Sequence, residues 1–124
     1  MTRLYTPELA NRSLPLVSRI VGDIQALTGQ IAAVLADFPE DVAGIRLEER
    51  DDRLAPLRDR WLELHGELDA LGIELKDPRT GLIDFRWMRQ GEVVYLCWRL
   101  GEPSVAHWHP LDSGFAGRAP IESN

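Results

Sequence analysis

The sequence predicts an α+β fold, an antiparallel helical hairpin packed on a small antiparallel β-meander. Three observations predict it. Apolar residues recur at three- and four-residue steps up to Gly72, the period changes to two from Ile73 onward, and Asp, Pro and Gly residues fall where turns need them. A chain of 124 residues is the usual size of one domain. The expected organisation is a single domain over 1–124, with a helical hairpin at 7–72, an antiparallel sheet at 73–110 and a C-terminal loop or tail at 111–124.

The first helix signal is Thr6-Pro7-Glu8, a hydroxyl cap, a proline whose missing N–H costs nothing in the first turn, and an acid near the positive helix end. Pro15 would clash with the carbonyl of Asn11, so the expected element is a short helix over about 7 to 13 with a fresh start or kink near Ser13-Leu14-Pro15. A long helix follows, its stripe formed by Val17, Ile20, Val21, Ile24, Leu27, Ile31, Val34, Leu35 and Phe38 down to Pro39. Leu54, Leu57, Trp61, Leu64, Leu68 and Leu71 repeat the pattern in a second helix that ends at Gly72. Between them lies PEDVAGIRLEERDD, a charged connector with helical character in its latter part.

Asp77-Pro78-Arg79-Thr80-Gly81 is the first turn of the sheet, between IELK and LIDFRWM. A two-residue loop at Gln90-Gly91 sets Arg89 opposite Glu92, Trp87 opposite Val94, Phe85 opposite Leu96 and Ile83 opposite Trp98. That register places Ile83, Phe85, Trp87, Val94, Leu96 and Trp98 on one face, which must meet the helices. Asp84, Arg86, Met88, Val93, Tyr95, Cys97 and Arg99 occupy the other. Gly101-Glu102-Pro103 turns the chain again, and SVAHWH adds a last antiparallel strand.

Composition narrows the function. Hydrophobic residues make up 44% and charged residues 27%, as in a soluble globular protein. Fourteen basic against twenty acidic residues leave a formal charge of −6, and no run of Lys and Arg is present. Nucleic acid and anionic membrane are therefore not expected partners, because phosphate contacts need a concentrated basic surface. The opening MTRLYTPEL has no apolar signal core and no stretch reaches a membrane-spanning length, which places the protein in the cytoplasm. Cys97, the single cysteine, fits a reducing compartment.

The candidate site lies in AHWHPLDSGF, residues 106–115. Residues two apart on a strand share a face, so His107 and His109 project together with Cα atoms about 6.5–7 Å apart. Two imidazoles so presented can chelate a divalent metal, zinc or similar, with Asp112 or Glu102 completing the set. The face depends on the preceding turn. An odd, three-residue loop puts the histidines beside Tyr95, Cys97 and Arg99, whereas an even loop buries them among Val94, Leu96 and Trp98. The odd loop is expected, because burying Ala106 and Trp108 costs less than burying imidazoles whose nitrogens all need partners.

On that register the outer face gathers Asp84, Arg86, Tyr95, Cys97, Arg99, His107 and His109. One reading is a pocket in which Arg86 and Arg99 grip a small anionic ligand while the histidines bind metal or move protons. Another is an ordinary solvated sheet face with Asp84 paired to an arginine. Cys97 as a nucleophile would need His107 as its base, and a small buried thiol is the simpler expectation. His65, between Glu63 and Glu67, belongs to no HExxH arrangement. Gly114-Phe115-Ala116-Gly117-Arg118 can offer N–H groups and a guanidinium to an anion, without the lysine of a phosphate loop.

Three segments carry a resemblance: LYTPELANRSLPLV, LGIELKDPRTGLIDF and VYLCWRLGEPSVAHWHPLDSGFAGRAPI. They resemble a bacterial family known as domain of unknown function two-two-zero-three, over nearly the whole chain. The resemblance implies a small bacterial cytoplasmic protein with no established activity and brings no catalytic residues with it. It marks CWRLGEP and the stretch from HWH to GFAGR as the hallmark, and so Cys97, Trp98, Arg99, His107, His109, Gly114, Phe115 and Arg118.

The functional expectation is a domain binding a divalent metal or a small anionic ligand. His107, His109 and Asp112 are the candidate metal ligands, and Arg86, Tyr95, Cys97, Arg99 and Arg118 the candidate ligand-binding residues. The alternative is a structural or protein-interaction module in which the helical hairpin forms a homodimer.

Overall fold

The computed structural model describes residues 3–38 and 44–122. Helices α1 (Pro7–Ala36) and α2 (Ile45–Ala70) precede a sheet of five strands: β1 (Ile73–Asp77), β2 (Leu82–Arg89), β3 (Glu92–Arg99), β4 (His107–His109) and β5 (Ala119–Pro120). The strands lie side by side in chain order, every pair antiparallel. The hairpin-on-meander architecture is the one the periodicities predict.

Helix α1 starts as its cap chemistry requires, with Thr6 Oγ1 accepting from the Leu9 N–H at 3.1 Å. It then runs on through Pro15, past the expected end near residue 13, where the sequence predicts a fresh start or a kink. The proline ring lies on the exposed side, while Ala10 and Val17 on either side of it are fully buried. Core packing before and after the proline therefore carries the helix through it despite the lost hydrogen bond. Helix α2 starts at Ile45, within the charged connector, and also contains a proline, Pro56. Residues 39–43 of that connector, including the predicted helix stop at Pro39, lie outside the described residues.

The two helices are antiparallel. Trp61 Nε1 donates to Thr28 Oγ1 at 3.0 Å, and Leu54 near the start of α2 joins Val34 and Phe38 near the end of α1 in one buried cluster. A larger cluster holds Val17, Ile20, Val21 and Ile24 of α1 with Leu64 and Leu68 of α2, against Ile83, Phe85, Leu96 and Trp98 of the sheet. Leu35, assigned to the stripe from sequence, is 47% exposed.

The β2–β3 hairpin has the predicted register, from Arg89 opposite Glu92 to Ile83 opposite Trp98. Gln90 and Gly91 have φ of 51° and 83°, the two positive values that a two-residue I′ turn needs. Gly81 closes the preceding turn at φ 73°, and a Cβ there would sit 2.6 Å from Leu100 Cβ. The last strand is shorter than SVAHWH, only His107–His109. The C-terminal tail is not all loop: it returns through a 3-10 turn at Phe115–Gly117 to form β5 on the free edge of β4. The predicted meander thus gains a fifth strand.

Two segments lock the layers together. Before α1, Tyr5 donates its N–H to the Arg86 carbonyl at 2.7 Å and its hydroxyl to the Leu71 carbonyl at 2.6 Å, with its ring edge-on to Phe85. Asn11 of α1 clips the β3–β4 connection by accepting from the Val105 N–H at 2.7 Å and donating to the Val105 carbonyl at 3.1 Å.

Candidate metal centre on the outer sheet face

The β3–β4 pairing sets Tyr95 opposite His109 and Cys97 opposite His107. This is the odd-loop register, so both histidines share the outer face with Asp84, Arg86, Tyr95, Cys97 and Arg99. Their fates then diverge. His107 is half-buried opposite Pro120, whereas His109 is only 2% exposed.

The His109 ring reaches over β3 to β2, and its Nε2 lies 3.2 and 3.1 Å from the two carboxylate oxygens of Asp84. Asp84 is 2% exposed and Cys97 1%, so a carboxylate, a thiol and an imidazole meet out of water. One ligand-capable atom from each lies within 4.8 Å of the other two. Sequence periodicity puts all three on this face; it does not show that they would be covered. Beyond β4 the chain returns so that Arg118 lies beside the thiol, with Phe115 under the Arg99 guanidinium.

The ring's other nitrogen fixes the electrostatics. Nδ1 is 2.8 Å from the Pro110 carbonyl, which can only accept, so Nδ1 carries a proton. In a neutral ring Nε2 would then aim a lone pair at the Asp84 carboxylate. Two acceptors at this distance repel unless something positive lies between them, either a proton or a cation. Burial raises the Asp84 pKa, with His109 opposing that rise. Burial also pushes the Cys97 thiol up to about 12; the Asp84 carboxylate adds to the rise and Arg118 opposes it. A thiol with no ion beside it therefore stays protonated at neutral pH, which makes it a poor nucleophile.

The remaining candidates are arranged around this trio and are largely engaged. Arg86 Nε donates to Glu74 at 3.0 Å, and the Tyr95 hydroxyl donates to the same carboxylate at 3.0 Å. Lys76 completes that set at 3.1 Å and lies over the Tyr95 ring. Burial alone would raise the Glu74 pKa, but the bonds from Tyr95, Lys76 and Arg86 together hold it below the usual value. Arg118 grips Glu102 with both terminal nitrogens, one of them at 2.9 Å. The Phe115 ring meets the guanidinium groups of both Arg118 and Arg99, at 4.1 and 4.7 Å. Arg99 is the exposed member of the three candidate arginines. Asp112 is exposed on the turn after β4, and neither it nor His107 belongs to the ligand-capable trio among the described residues. His65 stacks on Trp61, away from this face. No described helix is long and apolar enough to cross a membrane.

Residues 3–121 match the sequence model of a family described as Uncharacterized conserved protein (DUF2203). No curated protein and no solved structure matches the chain.

Proposed function

The chain belongs to this DUF2203 family, and we propose that it is a divalent-metal-binding domain whose ion is held by Asp84, Cys97 and His109. The observation that carries the reading is the orientation of His109. A ring whose Nδ1–H is given to a carbonyl, leaving Nε2 to face other donors, is the arrangement that orients metal-bound histidines. The 3.1 Å gap between Nε2 and the Asp84 oxygen is close to the roughly 3.3 Å edge of a tetrahedron with metal–ligand bonds of about 2.0 Å.

Charge supports the same reading. Aspartate and thiolate together offer two negative charges, which one divalent ion cancels, so ion uptake leaves the buried site neutral. One sulfur, one nitrogen and one oxygen donor favour zinc or a similar transition metal over magnesium or calcium, which take oxygen ligands. The three donors come from adjacent strands β2, β3 and β4, and full burial suits an ion that fastens the C-terminal strands to the hairpin. The anion-clamp reading has less behind it, because Arg86 and Arg118 are already paired with carboxylates.

Elemental analysis after zinc loading and exhaustive dialysis tests the proposal. It predicts one equivalent in the native chain and in His107→Ala and Asp112→Asn, and a loss of bound zinc in Cys97→Ser and Asp84→Asn. Retention in Cys97→Ser and Asp84→Asn together with loss in His107→Ala would overturn it. So would a native chain that holds no zinc.

A further inference from the structure

Helix α2 ends at Ala70, and Gly72, at φ 72°, turns the chain away into β1. Helix α1 reaches back to Pro7 and so extends past the end of its partner. Leu9 and Leu16, seven positions apart on one flank of α1, are left 45% and 54% exposed. With Leu4, Tyr5 and Leu71 they line an apolar groove of about 220 Å³, to which Arg3 and Arg12 add two exposed guanidinium groups. Among the described residues neither arginine has an acidic partner within ion-pair distance.

The matching surface is on α2 itself. At steps of three and four, Glu48, Asp52, Ala55, Asp59, Glu63 and Gly66 form an exposed stripe with no basic member. Leu62 lies beside it, 56% exposed, one turn after Asp59 and Arg58. An apolar anchor on the edge of an acidic stripe is the complement of an apolar groove flanked by arginines. The two surfaces are near one another on the molecule, since Leu62 is nine positions, about 13 Å along the helix, from the groove residue Leu71. One two-fold axis between them can therefore satisfy both contacts at once.

We infer that two copies of the chain dimerise by seating Leu62 of each α2 in the Leu9–Leu16 groove of the other, with Asp59 and Glu63 meeting Arg12 and Arg3. The exposed Arg60–Glu63 pair, at 54% and 66% side-chain exposure, is loose enough to be exchanged for the new partner. The contact explains how a strongly acidic chain keeps two arginines beside exposed leucines. It is independent of the metal proposal, as no residue is shared.

Light scattering on the full-length chain, from low to high micromolar concentration, tests this. The inference predicts a dimer mass that falls to the monomer in Arg12→Glu and in Asp59→Arg, each weakening association at least tenfold, and recovers when the two are combined. Leu62→Glu should give the monomer as well. Circular dichroism of each variant checks that the exposed change leaves the fold intact. A native chain that stays monomeric across the range overturns the inference and leaves the groove to a different protein. A dimer indifferent to Arg12→Glu and Leu62→Glu, or one that the paired charge reversal does not restore, overturns it equally.

Discussion

His109 is the residue on which the site turns, because its two nitrogens face a carbonyl and a carboxylate, both of them acceptors, while a neutral ring has only one N–H to give. A cation or a proton must therefore occupy the gap to Asp84. Asp84→Asn supplies an N–H to Nε2 in place of that proton, and is expected to cost under about 1.5 kcal/mol while abolishing metal binding. Asp84→Ala, which strands Nε2 of the buried ring without a partner, is expected to cost about 3–5 kcal/mol. Urea unfolding of the metal-free variants checks both, and equal losses would contradict the hydrogen-bond account. Glu102 supplies a second residue-scale test. The Arg118 hydrogen bonds hold its pKa below the usual value, outweighing the rise that burial causes. A carboxylate depressed in the folded state contributes stability that is present above its unfolded pKa and is lost as pH falls through the folded one. Glu102→Gln should therefore lower stability near neutrality and flatten the decline below about pH 4.3, the unfolded reference. A decline of unchanged steepness in an acid titration of the unfolding midpoint would count against it.

Among the elements, α1 departs furthest from what its sequence predicts. Pro15 reads as a fresh start or kink because its ring removes an N–H, yet the helix continues through it, with buried residues on both sides. Pro15→Ala restores the bond to the Asn11 carbonyl at an exposed position and should raise stability by about 1–3 kcal/mol, seen as a higher denaturant midpoint. A lower midpoint would mean that the proline fits a shape the helix needs. The strands were more legible. Alternation around Gln90-Gly91 specifies the hairpin register, and the odd turn after β3 brings His109 to the face of Asp84 and Cys97. What alternation cannot convey is the burial of that outer face. The segments that return toward it, a 3-10 turn and a two-residue strand, are too short to leave any periodicity. Asp112 draws notice from sequence because it follows the histidines by three residues, whereas Asp84 meets His109 only through strand pairing, two strands away. Tyr5 and Asn11 were silent for a related reason: each acts through a long-range hydrogen bond that no local pattern encodes.

Across the whole molecule, the helical layer is longer than the sheet it covers. The cluster of Tyr5, Val17, Phe85 and Leu96 spans both layers, whereas the second cluster, Val34, Phe38 and Leu54, is held by the two helices alone, with Arg46 and Arg53 over the Phe38 ring. Hydrogen exchange should accordingly release amides of α1 beyond Ile31 and of α2 before Leu57 by sub-global opening, well ahead of β2 and β3. Uniform protection along both helices would show that the arm is no weaker than the body. The central claim concerns the opposite end of the molecule, where three strands converge on one buried point. X-ray absorption at the zinc edge of the loaded protein reads that point most directly. One sulfur at about 2.3 Å beside nitrogen and oxygen neighbours at about 2.0–2.1 Å is the predicted shell. A shell made only of nitrogen and oxygen would contradict it, because Cys97 would then have no part in holding the ion.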